Sequence, residues 1–171
     1  MNDFLKYSIW FICLVLLQEF LFNNIQFSNF LTPYVYVFLI LILPFSMSAS
    51  VAMPIAFVLG LSVDIISSGI LGAHAAACVA IAYFRGFFIA AILSKGAYDN
   101  IATAAAKNIS LSKFISYSFT LVLLHHTILF FIETFSFSNV IFTIIRILVS
   151  SIVSTIFIIL LKYIFQKQKE A

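Results

Sequence analysis

Continuous apolar runs are the feature that most limits what this chain can fold into. Stretches such as FLILILPF, which begins at Phe38, and IFIILLKYIF, which begins at Ile156, lack the apolar–polar alternation of membrane β-strands. The whole chain is 64% hydrophobic and only 9% charged, whereas a soluble domain carries about 25% charged residues. The sequence therefore predicts an all-α integral membrane protein, with residues 1–171 forming a single transmembrane helical domain.

Six apolar segments predict a bundle of about six transmembrane helices. A helix needs about 20 residues to cross a hydrocarbon core of about 30 Å. The second and third segments are short, and only PFSMSAS separates them. Because together they are too long for one span, we expect them to form a tight hairpin. The predicted spans are about 7–22, 31–45, 51–66, 73–93, 114–135 and 140–165.

The distribution of lysines predicts the orientation of the bundle, because cytoplasmic loops of membrane proteins are enriched in Lys and Arg. Six spans place all seven lysines on one side of the membrane, whereas five spans would separate Lys6 from the others. We therefore expect both termini in the cytoplasm. The connection Ser94–Lys113 lies on the same side, where its lysines would contact anionic lipid headgroups or, alternatively, a cytoplasmic partner.

Ionisable residues fall inside the predicted spans, although an unpaired charge at the bilayer centre costs about 2.5–3.5 kcal/mol. Arg85 and Arg146 should therefore find acids or carbonyls within the bundle. Three interpretations stay open: buried ion pairs that fix helix register, a ligand cavity open to the outside, and a proton or ion path. A metal site is the least favoured, because the histidines are not at i, i+4 spacing. The predicted outer-half group is Glu19, Asp64, His74, Glu133 and Arg146, with Arg85, His125 and His126 nearer the middle.

Small residues recur every four positions on the fourth predicted span, at Gly72, Ala76 and Ala80. Such a ridge lets helix backbones approach closely, either within the bundle or against another chain. The chain has no P-loop, no dinucleotide-binding motif and no nucleophile elbow. We therefore expect no enzymatic activity, no cofactor and no nucleic-acid partner; an enzyme acting on lipid-linked substrates is the weakest alternative.

The stretch LGLSVDIISSGILGAHAAACVAIAYFRG, residues 59–86, resembles the signature of the MreD family of rod shape-determining membrane proteins. In that family an acid follows a glycine at the end of one helix. A short glycine-containing loop then leads to Gly-x-His-Ala at the start of the next helix. The residues in those places here are Gly60, Asp64, Gly69, Gly72, His74 and Ala75.

This resemblance implies a non-enzymatic component of the peptidoglycan elongation machinery in the bacterial cytoplasmic (inner) membrane. Family members bind the bitopic protein MreC and through it join MreB filaments, RodA and a penicillin-binding protein, which maintains rod cell shape. The resemblance, the ridge of small residues and the intramembrane charges together give the candidates for structural or partner-binding roles: Gly60, Asp64, Gly69, Gly72, His74, Ala76, Ala80, Arg85, Glu133 and Arg146.

The family's six-helix fold is considered similar to the substrate-binding subunits of ECF-type vitamin transporters. The alternative function is therefore a small-molecule binding subunit of a membrane transporter. Those subunits dock on their energising partner through an A-x-x-x-A ridge in the first helix. The first span here, YSIWFICLVLLQEFLF, contains no alanine, which argues against this alternative.

Overall fold

Helices form the regular elements of the chain in a computed structural model that describes residues 3–24, 31–67, 69–92, 109–135 and 139–167. The first helix continues from its α-helical part into a π-helical turn at Gln18–Phe22. The α-helices are α1 (Asp3–Leu17), α2 (Phe38–Ile42), α3 (Ala49–Ser67), α4 (Ala73–Ile92), α5 (Leu111–Thr134) and α6 (Val140–Lys167).

Five of these helices are long and apolar enough to cross a membrane within the described part of the chain. The prediction of a helical, multi-pass membrane protein is confirmed at this level. The candidate spans are Leu5–Phe22, Ala49–Ser67, Ala73–Ile92, Leu111–Thr134 and Val140–Ile164.

The predicted transmembrane helix over residues 31–45 is wrong, because only Phe38–Ile42 is helical in that stretch. We call residues 31–45 the buried segment, since every side chain from Tyr34 to Leu43 is at most 5% exposed. Pro33 cannot donate a hydrogen bond and disfavours helical geometry in the residue before it, and Pro44 does the same after α2. Non-helical backbone is tolerated at membrane depth only where protein surrounds it and satisfies its polar groups.

The buried segment runs antiparallel to α1. The Val35 amide donates to Gln18 Oε1 at 2.9 Å, near the end of the first helix. Seven residues further on, the Ile42 carbonyl accepts from the Tyr7 hydroxyl at 3.4 Å, near the start of that helix. Gln18 follows Tyr7 by eleven positions in the first helix, a rise of about 16 Å. The segment therefore occupies the place predicted for the second span, without being a continuous helix.

The α3–α4 hairpin packs most closely at Gly60. A Cβ atom at this position would lie 2.5 Å from Ala75 Cα and 2.6 Å from both Ala75 N and His74 O. All three neighbours are backbone atoms, so the two helix backbones touch directly. This contact holds the start of α4 against the second half of α3, close to Asp64.

Candidate functional site

Asp64 caps the start of α4 from the neighbouring helix α3. Its Oδ1 accepts from His74 N at 2.9 Å, and its Oδ2 accepts from Gly72 N at 3.0 Å and from Ala75 N at 3.1 Å. The first N–H groups of a helix have no partner within the helix and carry partial positive charge, which a carboxylate complements. Gly72 has a φ of +92°, a backbone conformation that favours glycine. Gly69 lies exposed in the same turn.

Replacing Asp64 with Asn should destabilise the protein by about 2 kcal/mol, because hydrogen bonds to charged groups contribute about 1.5–3 kcal/mol. The amide keeps one accepting oxygen, but its NH₂ group would face amides that themselves need acceptors. Thermal unfolding in detergent measures the effect. Ser62→Ala is the control on the same helix, because the Ser62 hydroxyl donates to the Val58 carbonyl of α3. Equal stability of Asp64→Asn and Ser62→Ala would contradict this role.

Two histidines meet the hydroxyl of Tyr36 in the centre of the bundle. The Tyr36 oxygen lies 2.6 Å from His74 Nδ1 and 2.9 Å from His125 Nε2. His125 Nδ1 has no hydrogen-bond partner, and an unpaired buried N–H is rarer than an unpaired acceptor. We therefore place the His125 proton on Nε2, where it donates to Tyr36, so that Tyr36 donates to His74. This group of three side chains is called the polar core below.

Side chains of the first helix and of α6 provide hydrogen-bond partners for the extended part of the buried segment. Gln18 Nε2 donates to the Pro33 carbonyl at 3.1 Å, while its Oε1 accepts from Val35 N. Ser154 Oγ accepts from Tyr34 N at 2.9 Å and lies 3.2 Å from His126 Nε2. These contacts replace the hydrogen bonds that a helix would make within itself, which explains why polar side chains are tolerated at this depth.

The buried Arg85 and the half-buried Arg146 have different partners. Arg85 Nη2 donates to the Leu43 carbonyl at 2.6 Å and to the Pro44 carbonyl at 2.5 Å, where the buried segment ends. Arg146 pairs with Glu133 at 3.1 Å and lies over the Phe130 ring, 3.9 Å from its centroid. Of the predicted outer-half residues, Asp64 and His74 meet at the start of α4, whereas Glu133 and Arg146 form a pair elsewhere in the bundle.

Glu19 belongs to none of these sites, because its Oε2 accepts from Asn23 Nδ2 at 2.9 Å within the same end of the first helix. The residues that the structure describes contain no group of three or more His, Cys, Asp or Glu side chains arranged to hold a metal ion. Most of the predicted loop Ser94–Lys113 lies outside the described residues.

An apolar groove runs along the outer surface of the α3–α4 hairpin, with a volume of about 540 Å³. Ala76 is exposed and Ala80 is half-buried, so the ridge of small residues faces out of the bundle. Gly72 forms one end of this groove, directly beside the cap made by Asp64. The lining residues are Met53, Phe57, Gly72, Ala75, Ala76, Val79, Ala80 and Tyr83.

Sequence reasoning missed Gln18, Tyr36 and Ser154, which hold the buried segment. Gln18 carried a readable signal, because an amide in an otherwise apolar helix needs partners. Tyr36 and Ser154 carried none, since tyrosine and serine are common in membrane helices. Comparisons of the chain with protein-family models, curated proteins and solved structures gave no match.

Proposed function

We propose that this protein is a non-enzymatic membrane component of the bacterial peptidoglycan elongation machinery. It maintains rod cell shape by binding an MreC-like bitopic protein, which links it to MreB filaments, RodA and a penicillin-binding protein. One observation carries the proposal: the residues that resemble the MreD signature act together at one place. Gly60, Asp64, Gly72 and His74 close the α3–α4 hairpin at one end of an outward-facing apolar groove.

The intramembrane polar groups support a binding role over transport or catalysis. Arg85 holds the end of the buried segment, Gln18 holds its extended part, and Asp64 holds the start of α4. A group that carries a substrate or a proton must exchange partners during its cycle. These three instead have fixed backbone partners, which suits a rigid scaffold for another protein.

A single transmembrane helix is the partner that the groove suits. Lipid provides no hydrophobic drive for helix association, so close packing and polar contacts must hold the partner. Ala76 and Ala80 let a second backbone approach α4, while Phe57 and Tyr83 form side walls. The proposal counts the buried segment as the second crossing of the membrane, beside the five long helices, and so places both termini in the cytoplasm, in agreement with the lysine distribution.

Replacing Ala76 and Ala80 with Leu should weaken capture of the MreC-like protein at least tenfold, because two isobutyl groups would fill the groove. The measurement is co-purification of the tagged protein and its partner in mild detergent, together with cell shape. Ala90→Leu is the matched control, since Ala90 is exposed on the same helix but does not line the groove.

Rounded cells and loss of the partner, with the variant still inserted and folded, are the expected result. Full capture of the partner by the double variant would refute the groove as the binding surface. Normal cell shape on depletion, accompanied by loss of vitamin uptake, would overturn the proposed function in favour of a transporter subunit.

A further inference from the structure

The first turn of α4 has the groove on one side and the polar core on the other. Gly72, Ala75 and Ala76 line the groove, whereas His74, from the same turn, reaches inward to Tyr36. We propose that Tyr36 is a positioning residue for the groove: by holding His74 from inside the bundle, its hydroxyl fixes the end of the groove in its partner-binding shape. This inference rests on the proposed function.

Two different ties hold the first turn of α4. Asp64 accepts hydrogen bonds from three amides at the start of α4. Because Asp64 belongs to α3, these bonds connect the two helices of the hairpin with each other and not with the rest of the bundle. Tyr36 supplies the tie to the rest of the bundle, because its hydroxyl also contacts His125 on α5. Without it, the first turn of α4 keeps its cap but loses its hydrogen bond to the buried segment, while Arg85, about three turns further along α4, still bonds the Leu43 and Pro44 carbonyls.

Hydrogen bonds also hold the backbone around Tyr36 in place. The two preceding amides, of Tyr34 and Val35, donate to Ser154 and Gln18, and the Tyr36 carbonyl accepts from Leu39 N at 3.1 Å. The position of the hydroxyl is therefore set by the first helix and α6, which hold the backbone of the buried segment. When this hydroxyl is lost, we therefore expect the His74 side chain to move, while the backbone at Tyr36 stays in place.

Tyr36→Phe is the direct test, because it removes one buried hydroxyl and keeps the ring. Tyr117→Phe is its matched control: Tyr117 is equally buried, and its hydroxyl donates to Leu41 O of the same segment at 3.4 Å, near the opposite end. We expect Tyr36→Phe to weaken capture of the epitope-tagged MreC-like protein about three- to tenfold. Tyr117→Phe should stay within twofold of wild type, even if both variants unfold at similarly lowered temperatures.

The distance between two spin labels measures the relative position of α3 and α4 in the absence of the partner. Val58→Cys and Phe84→Cys place labels on exposed positions of α3 and α4 outside the groove lining, in a Cys13→Ser background. The distance distribution between them should broaden in Tyr36→Phe and stay narrow in Tyr117→Phe. A purely structural loss of stability would affect the two variants alike.

A second pair of variants keeps the proposal testable if Tyr36→Phe does not fold. Asn at position 74 can place an oxygen acceptor near the site of Nδ1, so His74→Asn should capture the partner better than His74→Leu. Unchanged capture and an unchanged distance distribution in Tyr36→Phe would overturn the positioning role. If depletion leaves cell shape normal and abolishes vitamin uptake, the proposed function fails, whereas the spin-label result still decides whether Tyr36 fixes the shape of the groove.

Discussion

Replacing Gln18 with Leu should release residues 32–37 from the first helix and lower the free energy of unfolding by about 2–4 kcal/mol. Gln18 is fully buried, and its amide serves the Pro33 carbonyl and the Val35 amide at once. Leucine has a similar volume but leaves both backbone groups without this partner. Each unpaired buried group costs about 1–3 kcal/mol, and water cannot replace the amide because the Gln18 side chain is fully enclosed by protein.

Hydrogen exchange of the Val35 amide, followed alongside detergent unfolding, measures this release. Gln18→Glu should fall between wild type and Gln18→Leu, because a carboxylate still accepts from Val35 but cannot donate to Pro33. Thr120→Val is the control, since the Thr120 hydroxyl donates to the Ser116 carbonyl of its own helix. Unchanged exchange at Val35 in the leucine variant would contradict the proposed hold on the segment.

Hydropathy was sufficient to predict the long helices. The third to sixth predicted spans agree with the helices to within a few residues; for example, 51–66 was expected where α3 covers Ala49–Ser67. Each of these runs is bounded by glycine, proline or polar residues that end an apolar stretch. Asp64 was also accessible to sequence reasoning, because its three amide partners lie only 8 to 11 residues away.

The buried segment could not be predicted from hydropathy, because a buried extended segment and a membrane helix are equally apolar. Its partners are also distant in sequence: Ser154 follows Tyr34 by 120 residues, and Arg85 follows Leu43 by 42. Sequence alone left carbonyls and acids open as partners of Arg85. The structure shows that the Arg85 guanidinium donates hydrogen bonds to the carbonyls at the end of the buried segment.

Introducing a single methyl group at Gly60 should be among the most damaging changes in this protein. The new Cβ would lie 2.5 Å from Ala75 Cα, a backbone atom that no side-chain rotation can move away. The helices α3 and α4 would have to separate at this height. Asp64, one turn further along α3, would then lose its bond to Ala75 N, so packing and helix cap would weaken together. We expect Gly60→Ala to cost about 3 kcal/mol, the upper end of the usual overpacking range.

Gly86→Ala is the matched control for this prediction. Gly86 lies in the interior of α4, and an added Cβ would meet no atom within 4 Å. The same methyl group should therefore stabilise the helix by about 0.5–1 kcal/mol, because alanine loses less conformational entropy than glycine on folding. Unfolding of the two variants, titrated with denaturing detergent, should shift in opposite directions. If they shift in the same direction, the direct contact between the α3 and α4 backbones does not hold the hairpin together, and Asp64 must cap α4 without it.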